Sequence, residues 1–118
     1  MSRNFPPDTC PYLHEEMETL TREQISALQL ERLQATVRHC MNSPFYKQRF
    51  EEIGLKPEDI KSLDDIRKIP FTTKADLRDT YPFGMASVLL RECTRLHSSS
   101  GTTGTPTVIL HPKKDLEE

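Results

Sequence analysis

The chain has 118 residues, of which 35% are hydrophobic and 29% charged, with a formal net charge of −2. This length accommodates one domain at most and excludes a complete large multidomain enzyme, and a charge so close to zero argues against a nucleic-acid-binding surface. Counting glycine in place of tyrosine, the apolar share is about 36%, below the roughly 45–50% of a typical globular domain, which is little material for a self-sufficient core.

Neither a signal peptide nor a membrane span is predicted. Residues 1–7 (MSRNFPP) contain no apolar stretch. The longest apolar run, residues 85–90, is interrupted by Ser87 and is far too short to cross a bilayer. We therefore expect a cytoplasmic chain that has no membrane partner.

The cysteines and histidines form no recognisable disulfide or zinc pattern. They are dispersed along the chain, and the neighbours His39 and Cys40 would point about 100° apart on a helix. An odd number of cysteines also argues against a disulfide framework. We therefore predict no metal site and a structural role for all seven residues: Cys10, Cys40, Cys93, His14, His39, His97 and His111.

The amino-terminal half predicts an extended lead-in followed by a long amphipathic helix. Three prolines within residues 1–20 argue against a helix there. Thr21-Arg22-Glu23-Gln24 then has the Thr-x-x-Gln form of a capping box, in which the two side chains satisfy free backbone N–H groups at the start of a helix. The apolar residues that follow lie broadly on one side of that helix: Ile25, Leu28, Leu33, Val37 and Met41.

A second helix is predicted directly afterwards. Ser43 can cap its first turn, and Pro44 suits that turn because its missing N–H would have no partner within the helix. Gly54 can adopt the left-handed conformation that ends a helix. The apolar residues Phe45, Tyr46, Phe50 and Ile53 have the spacing of a buried face, so we interpret Phe45 and Tyr46 as core residues rather than as the wall of an aryl pocket.

Two short helices and a turn complete the helical region that we predict over residues 21–90. Ser62 and Thr73 each precede a carboxylate by three residues, a pattern typical of helix starts, and Pro70 separates the two segments. Residues 81–84 (YPFG) are typical of a turn.

A strand, a loop and a second strand are predicted over residues 91–118. Residues 94–97 and 107–110 are short and contain β-branched side chains, and a loop of small residues lies between them. The sequence therefore predicts an α+β chain, with helices first and a strand–loop–strand hairpin last.

The loop is the segment that carries chemistry. From Ser98 to Gly104 every residue is a glycine or bears a hydroxyl. Glycines let a backbone turn sharply and direct successive N–H groups at an anion, and hydroxyls add donors for phosphate oxygens. The alternative is a flexible linker, but Pro106 and the apolar residues 108–110 that follow favour a loop fixed between strands. A Walker A loop is excluded because no Gly-Lys-Ser/Thr and no helix follow.

Residues 99–107 (SSGTTGTPT) resemble the phosphate loop of the adenylate-forming superfamily of acyl- and aryl-CoA synthetases, luciferases and peptide-synthetase adenylation domains. Three further stretches, 42–50 (NSPFYKQRF), 69–78 (IPFTTKADLR) and 81–84, resemble the phenylacetate-CoA ligase family more narrowly. The resemblance covers roughly residues 20–116. It implies that residues 1–118 are an amino-terminal part of the large AMP-binding (adenylating) domain of that family.

The resemblance also implies an activity. Family members join ATP and an arylacetic acid into an acyl-adenylate, with release of pyrophosphate, and the thiol of coenzyme A then displaces AMP to give the thioester. ATP, Mg²⁺ and CoA would be the cofactors, and phenylacetate the small-molecule substrate. Carried over by position, the phosphate-binding residues would be Ser99, Ser100, Gly101, Thr102, Thr103 and Gly104.

Two positions depart from the family pattern. The superfamily usually has lysine at the position of Thr107, and phenylacetate-CoA ligases often have lysine at that of Thr105. A cation for the triphosphate must then come from elsewhere, and we assign Lys74 as the candidate. The alternative for Lys74 is an ordinary solvated lysine in the first turn of a short helix, and Lys113 and Lys114 are weaker candidates.

The chain would contain no catalytic residue, because the resemblance implies that the adenine pocket, the aryl pocket and the catalytic lysine lie in the remainder of a longer parent chain. We therefore expect the 118-residue chain alone to be inactive as a ligase. Two alternatives stay open: a small helical interaction module with a Ser/Thr-rich tether, and another adenylate-forming enzyme of the superfamily. The sequence also leaves open whether the parent is a monomer or a homodimer.

Overall fold

A computed structural model describes residues 11–102 and 104–117 of the chain. Its helices are α1 (Glu15–Glu18), α2 (Arg22–Cys40), α3 (Pro44–Glu52) and α4 (Lys74–Asp79), and its strands are β1 (Cys93–Ser98) and β2 (Val108–Pro112). Short 3₁₀ helices cover Pro57–Asp59, Leu63–Lys68, Leu90–Glu92 and Lys114–Leu116. The predicted order of helices followed by a strand–loop–strand hairpin is confirmed.

Helix α2 begins as its capping box predicts. The Gln24 amide N–H donates to Thr21 Oγ1 at 3.2 Å, and the Thr21 amide N–H donates to Gln24 Oε1 at 2.8 Å. These reciprocal bonds satisfy backbone donors that the first turn cannot pair internally. The predicted extended lead-in contains one unpredicted helical turn, α1, where the Glu18 carboxylate accepts two amide N–H bonds from residues 13 and 14 at 2.9 Å each.

Helix α3 starts at Pro44 and ends at the predicted glycine. Gly54 has a φ of 68°, and the amide N–H groups of Gly54 and Leu55 donate to the carbonyls of Glu51 and Phe50, as in a Schellman motif. Ser43 occupies the capping position, but its side chain makes no capping bond. Its hydroxyl is fully buried and has no hydrogen-bond partner within the described part of the chain, so the predicted cap by Ser43 is wrong.

The two predicted short helices differ in kind. α4 is an α-helix, whereas Leu63–Lys68 is a 3₁₀ helix, although Asp65 still accepts the Ser62 amide N–H at 2.8 Å. Pro70 accounts for the difference, because it disfavours the helical conformation at Ile69, which is extended with ψ of 124°. A 3₁₀ helix has fewer residues per turn than an α-helix, so it forms more hydrogen-bonded turns in the short segment before Ile69.

A small core lies between α2, α3 and the segment that follows them. Its buried side chains are Val37, Phe50, Leu55 and Ile60, and Leu30, Leu33, Cys40, Met41, Tyr46 and Ile69 pack partly buried around them. The Gln34 side-chain amide donates to the Ile60 carbonyl at 2.8 Å and ties this segment to α2. Only four apolar residues in the described part of the chain are buried, which agrees with the low apolar share of the sequence.

The aromatic residues of α3 divide between the core and its edge. The ring of Tyr46 packs 5.9 Å from that of Phe50, measured between centroids, which confirms its core role. Phe45 packs against Tyr46 and beneath the guanidinium of Arg49, 5.0 Å from its ring centre. The prediction for Ile53 is wrong, since 53% of this residue is exposed where the chain turns away at Gly54.

Strand β2 of the hairpin faces residues of α2 and α4 across a shared cavity. Val108 and Leu110 of β2 line a cavity of about 370 Å³ together with Leu77 of α4 and His39 of α2. Ser87 also lines this cavity, and its Oγ lies 2.9 Å from Nε2 of His39, within hydrogen-bond distance. Among the described residues, we find no helix with the length and apolar character that a membrane span requires.

Truncation of Phe50 tests the core. We expect Phe50→Ala to lower the free energy of unfolding by about 3–5 kcal/mol, because it removes a buried ring and leaves a cavity. Phe71→Ala is the matched control, since Phe71 is 92% exposed and its loss should change stability by less than about 0.5 kcal/mol. Urea unfolding followed by circular dichroism measures both, and equal losses would contradict this description of the core.

Candidate phosphate-binding loop

The phosphate loop, residues 99–107, is closed at its base by the register of the hairpin. The strands are antiparallel, with Ser98 opposite Val108 as the last pair before the loop. Just beyond that pair, the Ser99 amide N–H donates to the Thr107 carbonyl at 3.0 Å, and the Thr107 amide N–H donates to Ser99 Oγ at 2.9 Å. These two bonds form a clasp that fixes both ends of the loop.

Within the loop, two glycines take conformations that other residues rarely adopt. Gly101 has a φ of 64° and Gly104 a φ of 131°. The Gly104 amide N–H donates to the Gly101 carbonyl at 3.0 Å, which closes a turn. A Cβ atom at Gly101 would lie 2.9 Å from the Gly104 carbonyl oxygen, so only glycine fits this turn without displacement.

The predicted hydroxyl residues have different places in the loop. Ser100 and Thr102 are exposed and can donate to a ligand. The oxygen of Ser99 accepts the Thr107 amide bond, so it helps to hold the loop while its own O–H remains a donor. Thr103 lies outside the described residues. The clasp role of Ser99 was missed from the sequence, because it depends on a contact eight residues away that only the strand register creates.

Lys74 is the first residue of α4, next to a tightly bonded helix start. The Asp76 carboxylate accepts the amide N–H of Thr73 at 2.7 Å and its hydroxyl at 2.9 Å, and it forms an ion pair with Arg49 at 3.3 Å. The bonds from Thr73, with a smaller contribution from Arg49, hold the pKa of Asp76 below its usual value. The position of Lys74 is therefore fixed through Asp76, which joins α4 to α3.

The Lys74 side chain itself is exposed. Among the described residues, no hydrogen bond or ion pair joins it to the phosphate loop. Of the two weaker candidates, Lys113 lies 3.7 Å from the carboxylate of Glu117, and Lys114 begins the last 3₁₀ helix. The glycine and hydroxyl residues thus lie together in one loop. In the part of the chain that the structure describes, none of the three lysines belongs to that loop.

Alanine at Gly101 tests the turn. We expect Gly101→Ala to displace the loop, so that the amide resonances of Ser99 and Thr107 shift and their hydrogen exchange accelerates, on the order of tenfold. Gly54→Ala is the control, because Gly54 has a similar φ of 68° but no atom within 4 Å of the added Cβ. Two-dimensional NMR of both variants measures the effect, and an undisturbed loop in Gly101→Ala would refute the proposed crowding.

Comparison with known proteins relates the chain to one group of enzymes. The chain is 49% identical over 104 residues to the phenylacetate-coenzyme A ligase of Aromatoleum evansii, and 48% identical over 114 residues to that of Pseudomonas putida. These alignments cover 87% and 96% of the chain but only 24% and 26% of the relatives. The Escherichia coli K12 ligase of the same name is 43% identical. No protein-family model matches the chain.

Solved structures show the same relation. The chain superposes with a TM-score of 0.82 and 32% identity on 2-hydroxyisobutyryl-CoA ligase in complex with 2-HIB-AMP and CoA in the thioesterification state. The same enzyme in the postadenylation state gives a TM-score of 0.81 at 30% identity. Both alignments cover 95% of this chain and about a quarter of the ligase. In sequence and fold, the chain is similar to phenylacetate-CoA ligases and to a further CoA ligase, and it spans about a quarter of their length.

Proposed function

We propose that the protein to which this chain belongs is an AMP-forming ligase that converts phenylacetate, ATP and CoA to phenylacetyl-CoA, AMP and pyrophosphate. In this proposal the phosphate loop holds the β- and γ-phosphates of ATP. The observation that carries it is the closed loop with its crowded Gly101, found in a chain that is 43–49% identical to enzymes named phenylacetate-coenzyme A ligase. ATP and CoA would be available to such an enzyme in the cytoplasm.

The loop suits a polyphosphate in three respects. The absence of a side chain at Gly101 and Gly104 lets phosphate oxygens approach the backbone, and the hydroxyls of Ser100 and Thr102 are exposed to a ligand. The clasp holds these donors in place before the ligand arrives, so little reorganisation is needed on binding. Mg²⁺ bound with ATP would offset part of the phosphate charge, and hydroxyl oxygens are among the ligands that it takes.

The loop would contribute to the reaction by positioning ATP. When it holds the terminal phosphates, the α-phosphorus is presented to the carboxylate oxygen of the acid, which forms the new P–O bond as pyrophosphate leaves. In the second step the thiolate of CoA attacks the acyl carbon and AMP leaves with the oxygen of the broken bond. The groups that orient the acid, the adenine and the thiol would come from the remainder of the parent chain.

The triphosphate also requires positive charge nearby. The described residues of the loop include no lysine or arginine, so a cation from another segment must face the triphosphate. Lys74 stays our candidate because its helix start is held rigidly by Asp76 and because its side chain is exposed. We propose that in the parent protein the Lys74 ammonium group pairs with a phosphate of bound ATP.

The choice of acid rests on the relatives' names. Four matching relatives are phenylacetate-coenzyme A ligases at 43–49% identity, which supports an arylacetic acid and favours a ligase over a helical interaction module. A second candidate is a ligase for a small hydroxy acid, because the solved 2-hydroxyisobutyryl-CoA ligase is 30–32% identical over nearly the whole chain. The lower identity makes it the weaker of the two.

Loss of a loop hydroxyl tests the phosphate site in the complete protein. We expect Thr102→Ala to slow acyl-adenylate formation roughly ten- to hundredfold, because one hydrogen bond to a charged oxygen is lost without a change of backbone. Lys74→Met should raise the ATP concentration needed for half-maximal rate if Lys74 faces the triphosphate. ATP–pyrophosphate exchange measures both variants.

Thr94→Ala is the control for these variants, since Thr94 is an exposed hydroxyl residue on β1 outside the loop. Its exchange rate should equal that of the unchanged protein. Normal exchange in Thr102→Ala would refute the role of the loop, and an unaltered ATP dependence in Lys74→Met would remove Lys74 from the site while leaving the loop assignment intact.

The 118-residue chain alone should show no ligase activity. It spans about a quarter of the ligases that it matches, and the proposal places the acid, adenine and CoA sites in the remainder. A coupled assay for AMP formation with ATP, phenylacetate and CoA checks this expectation. AMP formation by the purified chain above a boiled control would contradict it.

A further inference from the structure

Two histidines that are far apart in sequence meet on one face of the hairpin. His97 on β1 is paired with Ile109, and His111 on β2 is paired with Arg95, so the two histidines are diagonal neighbours on the same face of the sheet. Their ring centres are 4.8 Å apart and their planes are inclined by 62°. This pair has no part in the clasp or in the glycine turn of the phosphate loop.

The separation of the two rings matches that of imidazoles that share a metal ion. With metal–nitrogen bonds of about 2.0–2.1 Å and a tetrahedral angle, two coordinating imidazoles have ring centres roughly 5 Å apart. Imidazole nitrogen is a preferred donor for late first-row divalent cations. We propose that His97 and His111 form a two-imidazole binding site for such a cation, with Zn²⁺ as the representative ion.

Accessibility supports the proposal. His97 is exposed and His111 is half-buried, so an ion can enter from solvent without opening the core. Two protein ligands leave the remaining coordination positions to water or to a small anionic ligand, as in an open rather than a closed zinc site. The site is therefore one for a weakly held, exchangeable ion, and not one on which folding depends.

One positively charged side chain near the proposed site opposes the binding of a cation. Arg95 lies directly opposite His111 on the same face, and its guanidinium repels a cation. Arg95 is exposed, so water and salt screen this repulsion to a modest cost. The pair could not be predicted from the sequence, because thirteen residues separate the two histidines and only the strand register brings them together.

Titration of the 118-residue chain with Zn²⁺ tests the site directly. We expect one ion to bind per chain, and the ring-proton NMR signals of His97 and His111 to shift together while those of His14 stay in place. His97→Gln and His111→Gln should each weaken binding about tenfold or more, because one of two ligands is lost. His14→Gln is the matched control and should bind as the unchanged chain does.

A variant that gains affinity for Zn²⁺ tests the geometry of the site independently of the variants that lose affinity. Ile109 is on the same face, opposite His97 and two residues from His111, so Ile109→His would add a third imidazole. We expect it to tighten Zn²⁺ binding about tenfold or more. Ser98→His adds an imidazole next to His97 in sequence but on the opposite face, and it should leave the affinity unchanged.

Three outcomes would overturn the proposal: no binding at millimolar Zn²⁺, binding that persists in both glutamine variants, or equal affinities in Ile109→His and Ser98→His. The first outcome would mean that the edge-to-face contact of the rings is aromatic packing alone. None of these measurements depends on ligase activity, so the proposed function and the metal site can fail separately.

Discussion

The register of two short strands is the constraint on which the candidate site depends. Because Ser98 lies opposite Val108, the two ends of the loop are held at the spacing of adjacent strands. The clasp between Ser99 and Thr107 lies immediately beyond that pair. A shift of one residue would reverse the faces of the strand and would separate the partners of the clasp. The same register also brings His97 and His111 together on one face of the hairpin.

The helical region lies beside the hairpin and has a core of its own. Its own core is small and is centred on Phe50, with Val37 and Ile60 from the neighbouring segments. The hydrogen-bonded pair His39 and Ser87 joins α2 to the segment that precedes β1, and both residues line the cavity that adjoins β2. The base of the loop is held by the clasp, and the exposed hydroxyls of Ser100 and Thr102 lie beyond it.

Much of this architecture could be predicted from local signals. The capping box at Thr21, the helix start at Pro44 and the left-handed Gly54 are each determined by residues within a few positions, and the structure has all three. The loop assignment also rested on local composition, and the structure adds the reason why Gly101 must be glycine.

The errors and omissions concern features that depend on distant residues or on fine competition between helix types. Ser43 occupies its predicted position, but its hydroxyl is buried and makes no bond to the helix start. Pro70 shifts the preceding segment from an α-helix to a 3₁₀ helix, which a capping pattern cannot distinguish. The clasp by Ser99 and the contact of the two histidines arise from strand pairing, which no single stretch of sequence encodes.

The closed loop of residues 99–107 is proposed to bind the terminal phosphates of ATP, and a crystal structure of the complete protein with a non-hydrolysable ATP analogue would show whether it does. We expect the β- and γ-phosphate oxygens within hydrogen-bond distance of the loop, on its backbone N–H groups and on the hydroxyls of Ser100 and Thr102. Terminal phosphates bound at another site, with this loop free of contact, would refute the proposal.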